Sequence, residues 1–161
     1  MEGIMKIGII VHSHTGNTLR VAKVIKEKLI NLGHEANIEQ VTAVNENPSE
    51  TKNIQLKAIP DIDIYDAVIF GAPVRGFSLS PVMKLYLSQL MSMNGKKVSC
   101  YVTQYFPFPW MGGKQSIEQF VNECRLKKAN VTTTGIVNWS SKKREKMITD
   151  LSDNLSSFIN Q

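Results

Sequence analysis

The feature that most constrains this chain is a repeated exchange of hydrophobic period. Apolar runs rich in β-branched residues, at Met5–Val11, Asn37–Val41, Ala67–Ala72, Lys97–Thr103 and Val131–Val137, read as five strands. Stretches of helical spacing separate most of them. After the first strand, Val21, Ala22, Ile25, Leu29 and Leu32 recur at three- and four-residue steps, with Lys23, Lys26 and Glu27 opposite and Gly33 as a stop. Further helices are expected from about Ser80 to Met91, with Pro81 in the first turn, and from about Gly113 to Lys128, with Ile117, Phe120, Val121 and Cys124 on one face. The last begins near Ser140 and puts Met147, Ile148, Leu151, Leu155, Phe158 and Ile159 on one side. This alternation demands parallel strands joined by right-handed crossovers, so the expected class is α/β: a doubly wound five-stranded parallel sheet with helices on both faces. The polar stretch Thr42–Pro60 is the exception, either a surface loop or a short helix around Glu50–Leu56.

A chain of 161 residues fits one domain, 1–161, and no repeat or linker divides it. No apolar stretch has the length needed to cross a bilayer, which argues against a membrane role. The opening MEGIMKIGIIV lacks the pattern of a secretory leader, so a cytoplasmic location is expected. Cys100 and Cys124 have no metal-ligand spacing and are expected to be buried, reduced thiols. The formal charge is +5, but the lysines are scattered over helix faces rather than gathered into a stripe. Even Lys142–Lys146, KKREK, reads as a solvated face, so nucleic acid is not an expected partner. The charge favours acidic partners or anionic small molecules.

In an open parallel sheet, ligands bind beyond the carboxyl ends of the strands, where the strand order reverses. Three loops lie there: Ser13–Thr18, Pro73–Ser80 and Gln104–Gly113. The first, SHTGNT, offers hydroxyls, backbone amides, a flexible Gly16 and the positive end of a helix, which are the parts of a phosphate cradle or of an ordinary capped helix start. Neither G-x-G-x-x-G nor G-x-x-x-x-G-K-[ST] is present. The acidic residues of phosphorylated receiver modules are missing too, because the corresponding strand ends read VHSHT and FGAPV.

SHTGNT resembles the S/T-x-T-G-x-T phosphate loop of flavodoxins. IFGAPVRGFSLSPVMKLYL resembles the G-x-P-V segment of FMN-dependent flavodoxin-like proteins, and TQYFPFPWMGGKQSIEQF resembles their loop on the other side of the flavin. The chain thus resembles a short flavodoxin-like protein of the flavodoxin and NAD(P)H:quinone oxidoreductase superfamily. The resemblance implies strand order 2-1-3-4-5, with FMN at the switch point between the first and third strands. It implies that Ser13, His14, Thr15, Gly16, Asn17 and Thr18 surround the phosphate. Pro73, Val74, Arg75, Gly76, Phe77 and Ser78 would line one edge of the ring, and Thr103, Gln104, Tyr105, Gly112 and Gly113 another.

No residue stands out as catalytic, since FMN performs the electron or hydride transfer and the protein positions it. His12 and His14 flank the phosphate loop and are expected to help by structure or charge, and His34 to lie on the surface. Arg75 is either an ordinary surface arginine or a cation near the flavin that raises its potential. Tyr105, Phe106, Phe108 and Trp110, stiffened by Pro107 and Pro109, either cover the core or stack on flavin or substrate. Two functions stay open. One is an electron carrier with a redox-partner protein; the other is an FMN-dependent reductase of NAD(P)H and a quinone. Carriers of this kind tend to be acidic around the flavin, and QYFPFPWMGGK has no carboxylate. The oligomeric state is left open.

Overall fold

The computed structural model describes residues 3–46 and 53–157. In chain order its elements are β1 (Lys6–Val11), α1 (Asn17–Asn31), β2 (Glu35–Gln40), β3 (Thr42–Ala43), β4 (Leu56–Ala58), β5 (Ala67–Arg75), β6 (Ser78–Leu79), α2 (Pro81–Gln89), β7 (Lys97–Gln104), α3 (Gly113–Leu126), β8 (Asn130–Asn138) and α4 (Arg144–Ser157). The five long strands pair in parallel in the order β2-β1-β5-β7-β8. Taken in sequence, that is the expected order 2-1-3-4-5.

Strand periodicity divides the sheet's side chains between two cores. Ile7, Ile9, Val11, Ala67, Ile69 and Tyr101 pack with Val21, Ile25 and Leu29 of α1 and Ile148, Leu151 and Leu155 of α4. Ile10, Val68, Phe70, Val98, Cys100 and Val102 pack with Met83 and Leu87 of α2 and Phe120 and Cys124 of α3. The helices therefore cover both faces. The inner strands are almost wholly buried, whereas β2 and β8 at the edges alternate buried or half-buried with exposed positions over much of their length. Each large aliphatic side chain so buried contributes roughly 1.5–3 kcal/mol.

Three details depart from the sequence reading. The sheet has a sixth strand, because β6 turns back antiparallel on the end of β5 and pairs Arg75 with Ser78 and Val74 with Leu79. Within the polar stretch, β3 and β4 form a separate antiparallel pair, and Leu56, the end of the alternative helix, lies in β4. Asn53, Ile54 and Gln55 are not helical either, and residues 50–52 of that alternative fall outside the described residues. Finally, α4 begins at Arg144 rather than Ser140: the Trp139 amide donates to Gln104 O at 2.7 Å, and the Arg144 guanidinium donates to Trp139 O at 3.0 Å, holding the approach as a turn. Phe158 and Ile159 lie outside the described residues. Cys100 and Cys124 are buried free thiols with sulfurs 3.8 Å apart. No described helix is long and apolar enough to cross a membrane.

Candidate functional site

β1 and β5 are neighbours, yet the chain leaves β1 for the edge β2 and leaves β5 for β7. Their carboxyl ends open a crevice at the point of reversal. A cleft of about 220 Å³ lies there, lined by His14, Thr15 and Asn17, by Pro73, Val74 and Arg75, and by Thr103, Gln104 and Tyr105. All three expected loops contribute.

At the first loop, Gly16 has φ +95° and open space where a side chain would project. Gly16 at the N-cap has no side chain to cap α1, so the amides of Asn17 and Thr18 and the positive end of the helix dipole stay available to an anion. Ser13 and Thr18 serve the loop itself. Ser13 Oγ accepts from the Leu19 amide at 3.3 Å, and the buried Thr18 hydroxyl bonds that of Thr103 at 2.8 Å. The Tyr101 hydroxyl donates to Thr18 O at 2.8 Å, tying the start of α1 to β7. Its ring crosses Gly71, where a Cβ would come within 2.3 Å of it.

The second loop is a two-residue hairpin turn in which Gly76 (φ +56°) and Phe77 (φ +62°) are both left-handed, as that turn requires. Arg75 is half-buried just before the turn and has no ion-pair partner among the described residues. Ser78 is turned elsewhere: its hydroxyl donates to Gln119 Oε1 at 2.8 Å, and the Leu79 amide donates to the same oxygen at 2.9 Å.

The third loop is shaped by Gln104, whose Nε2 donates to the carbonyls of Phe106 at 2.6 Å and Phe108 at 2.7 Å. Its Oε1 is buried and has no partner among the described residues. Gly112 and Gly113 permit close packing rather than lining the cleft. A Cβ on Gly112, at φ +110°, would lie 2.7 Å from Phe77 Cα and Val74 Cγ1, and one on Gly113 would lie 2.0 Å from Gln104 Oε1. The aromatics do not cover the core: Tyr105 is 72% exposed and Trp110 66%. They form an open wall, with Phe77 stacked on Phe106 at 5.7 Å and Phe108 on Trp110 at 5.7 Å.

His12 is fully buried behind the cleft, with Nδ1 2.6 Å from Ser80 Oγ and Nε2 2.8 Å from Glu46 Oε2. Glu46 also accepts from the Ala43 amide at 2.8 Å, and Ser80 Oγ accepts from Met83 N at the start of α2. Neither partner was legible from the sequence, because both lie far along the chain. His34 is half-buried rather than on the surface, its Nδ1 accepting from the Met5 amide at 3.1 Å.

A parallel α/β sheet whose switch point joins an uncapped helix start to aromatic walls defines a flavodoxin-like protein. Residues 8–107, more than half of the chain, match the flavodoxin domain family model. The chain belongs to the flavodoxin domain family. It is 26% identical over 129 residues to an Archaeoglobus fulgidus NAD(P)H dehydrogenase (quinone), a match covering 69% of this chain and 66% of that protein. Among solved structures, it superposes on a Lactobacillus acidophilus flavoprotein in complex with FMN with TM-score 0.62 at 18% identity, covering 89% of this chain and 98% of the other. Oxidised flavodoxin 2 from Bacillus cereus gives TM-score 0.69 at 16% identity, covering 95% and 99%.

FMN is the cofactor that family membership implies, and the residues present fit it. The uncapped α1 start beside Gly16 suits a phosphate, the unpartnered Gln104 Oε1 is an acceptor for an N–H, and Arg75 and the aromatics suit an anionic planar ring.

Proposed function

We propose that this chain binds FMN in the cleft between its three loops and passes electrons through it as a flavodoxin-like carrier. The observation that carries the reading is the convergence of all three loops on one cleft at the strand-order reversal. FMN, when bound, supplies the electron chemistry. The chain's residues bind, orient and shield it. Amides of Gly16, Asn17 and Thr18, with the Thr15 hydroxyl, hold the phosphate, while Ser13, Thr18 and Thr103 keep that loop in shape. Pro73, Val74, Gly76 and Phe77 form one wall, Gln104 and Tyr105 the other, and Gly112 and Gly113 let the walls close. His14 acts from the cleft wall, and Ser78, bonded to Gln119, supports the second loop from behind.

A second reading is an NAD(P)H-dependent quinone reductase. The exposed third loop favours it, since its aromatics carry no carboxylates and leave a flat substrate room to approach. The electron donor and acceptor are then NAD(P)H and a quinone rather than a partner protein. One experiment separates the readings: reconstitute with FMN, desalt, record the visible spectrum, then add NADH or NADPH with a quinone. Retained flavin bands support the site. Steady nicotinamide oxidation selects the reductase, and nicotinamide left unoxidised selects the carrier. Complete loss of flavin on desalting would defeat both.

A further inference from the structure

On the other side of Arg75 lies a second cavity, of about 320 Å³, near the lower end of the usual range for small-molecule sites. Its walls are Ile54, Leu79, Pro81 and Leu85, and its charges are Arg75 and Lys84. We infer that this cavity is a binding site for a small amphipathic organic anion, whose charged head sits between Arg75 and Lys84 and whose apolar body rests on Ile54, Leu79 and Leu85.

Charge is the first reason. Among the described residues, no aspartate or glutamate lines the cavity, and neither cation has an ion-pair partner. Elsewhere Arg20, Lys28, Arg144 and Lys146 each meet a carboxylate. Arg75 and Lys84 are both half-buried, so each has given up part of its hydration without a compensating anion. Two such cations lining one cavity repel each other, and a carboxylate, sulfonate or phosphate head relieves that cost for both.

Placement is the second reason. Arg75 is fixed by its pairing with Ser78 across the β5–β6 turn. Lys84 sits one helical turn into α2, its amide donating to Ser80 O at 3.0 Å. The two cations thus project from separately anchored elements, a preorganisation that suits recognition. The apolar walls select a ligand with a hydrophobic body over a bare inorganic ion. The concavity suits one small molecule rather than the flat face of a protein. Because Arg75 also lines the FMN cleft, the ligand's head lies one side chain away from the flavin site.

The test titrates 2-naphthoate and its neutral isostere 2-naphthamide into FMN-loaded protein and apoprotein, following side-chain methyl NMR shifts. Naphthoate is expected to shift Ile54, Leu79 and Leu85 and to bind about tenfold more tightly than the amide. Lys84→Gln should weaken naphthoate about tenfold, and Lys84→Glu should remove its binding, while both retain FMN as wild type does. Equal affinity for acid and amide, or unchanged naphthoate affinity in Lys84→Glu, would overturn the inference. The titration is also readable without flavin, so failure to retain FMN would defeat the cofactor reading alone.

Discussion

His12 shows how much of a site one buried residue can set. With Glu46 ionised and accepting from Nε2–H, the neutral ring leaves Nδ1 to accept from the Ser80 hydroxyl, whose oxygen accepts in turn from the Met83 amide. Every group is then satisfied. Protonating Nδ1 would make Ser80 Oγ accept twice and donate nowhere nearby. Burial accordingly holds the His12 pKa below its ordinary value, outweighing the opposing pull of Glu46, and the positive charge of Arg75 and His14 adds to the lowering. Glu46 is held low as well: burial raises it, but the Ala43 amide and His12 together outweigh that. A base whose folded pKa is depressed takes up more protons when unfolded, so its contribution is complete above about pH 6.5 and is lost as pH falls through the folded value. Denaturant titrations should show stability dropping from pH 7.5 to 5.5, with His12→Gln flat over that range and about 1–3 kcal/mol less stable at pH 7.5. A parallel decline in the variant would assign the loss to other groups. None of this was legible in the sequence, since Glu46 and Ser80 stand 34 and 68 positions away and only the fold brings them to His12. The turn at Phe77 was equally hidden, because a bulky residue at positive φ runs against local propensity.

At the scale of elements, the five long strands and four helices were legible because periods of two and 3.6 alternate without ambiguity. Elements of two or three residues were not. β3, β4 and β6 are too short to show a period and exist through pairing alone. That three loops would meet at the strand-order reversal was legible, and they do line one cleft there, but their internal division of labour was not legible. Ser78, Gly112 and Gly113 read as ring contacts; the first serves α3 and the glycines serve packing between loops. Gly71 carries the same lesson inside the sheet. An added Cβ there would strike the Tyr101 ring, which cannot swing aside without breaking its hydrogen bond to Thr18 O. Gly71→Ala should therefore destabilise the fold by about 1–3 kcal/mol and also weaken FMN binding, because the displaced ring releases the start of α1. Tyr101→Leu in the same chain should recover part of the stability but not the FMN affinity. Full recovery of both would show that Tyr101 does not position the phosphate loop.

The whole molecule carries a formal charge of +5, and among the described residues lining the cleft proposed for FMN, Arg75 is the one arginine or lysine and no aspartate or glutamate joins it. Reducing FMN adds negative charge to the ring, and a surrounding positive potential stabilises that state, whereas the acidic surroundings usual in carriers oppose it. The midpoint potential should therefore lie higher than in an acidic flavodoxin, and Arg75 should account for much of the difference. Arg75 is half-buried and has no carboxylate among the described residues to neutralise it, so little of its field is cancelled locally. A unit charge a few ångströms away through water is worth roughly 1 kcal/mol and more where solvent is excluded. That equals about 40 mV for a one-electron step. Arg75→Ala should lower the midpoint potential by about that amount at low ionic strength, while Arg75→Lys, which keeps the charge but loses the planar fork, should restore most of it. Added salt should shrink the wild-type to alanine difference, because a half-exposed charge is screened. Spectroelectrochemical titration of the three proteins measures all of this directly. Should alanine and lysine variants share the wild-type potential, the guanidinium would have no electrostatic hold on the flavin, and the basic charge of the chain would have to act on its partners instead.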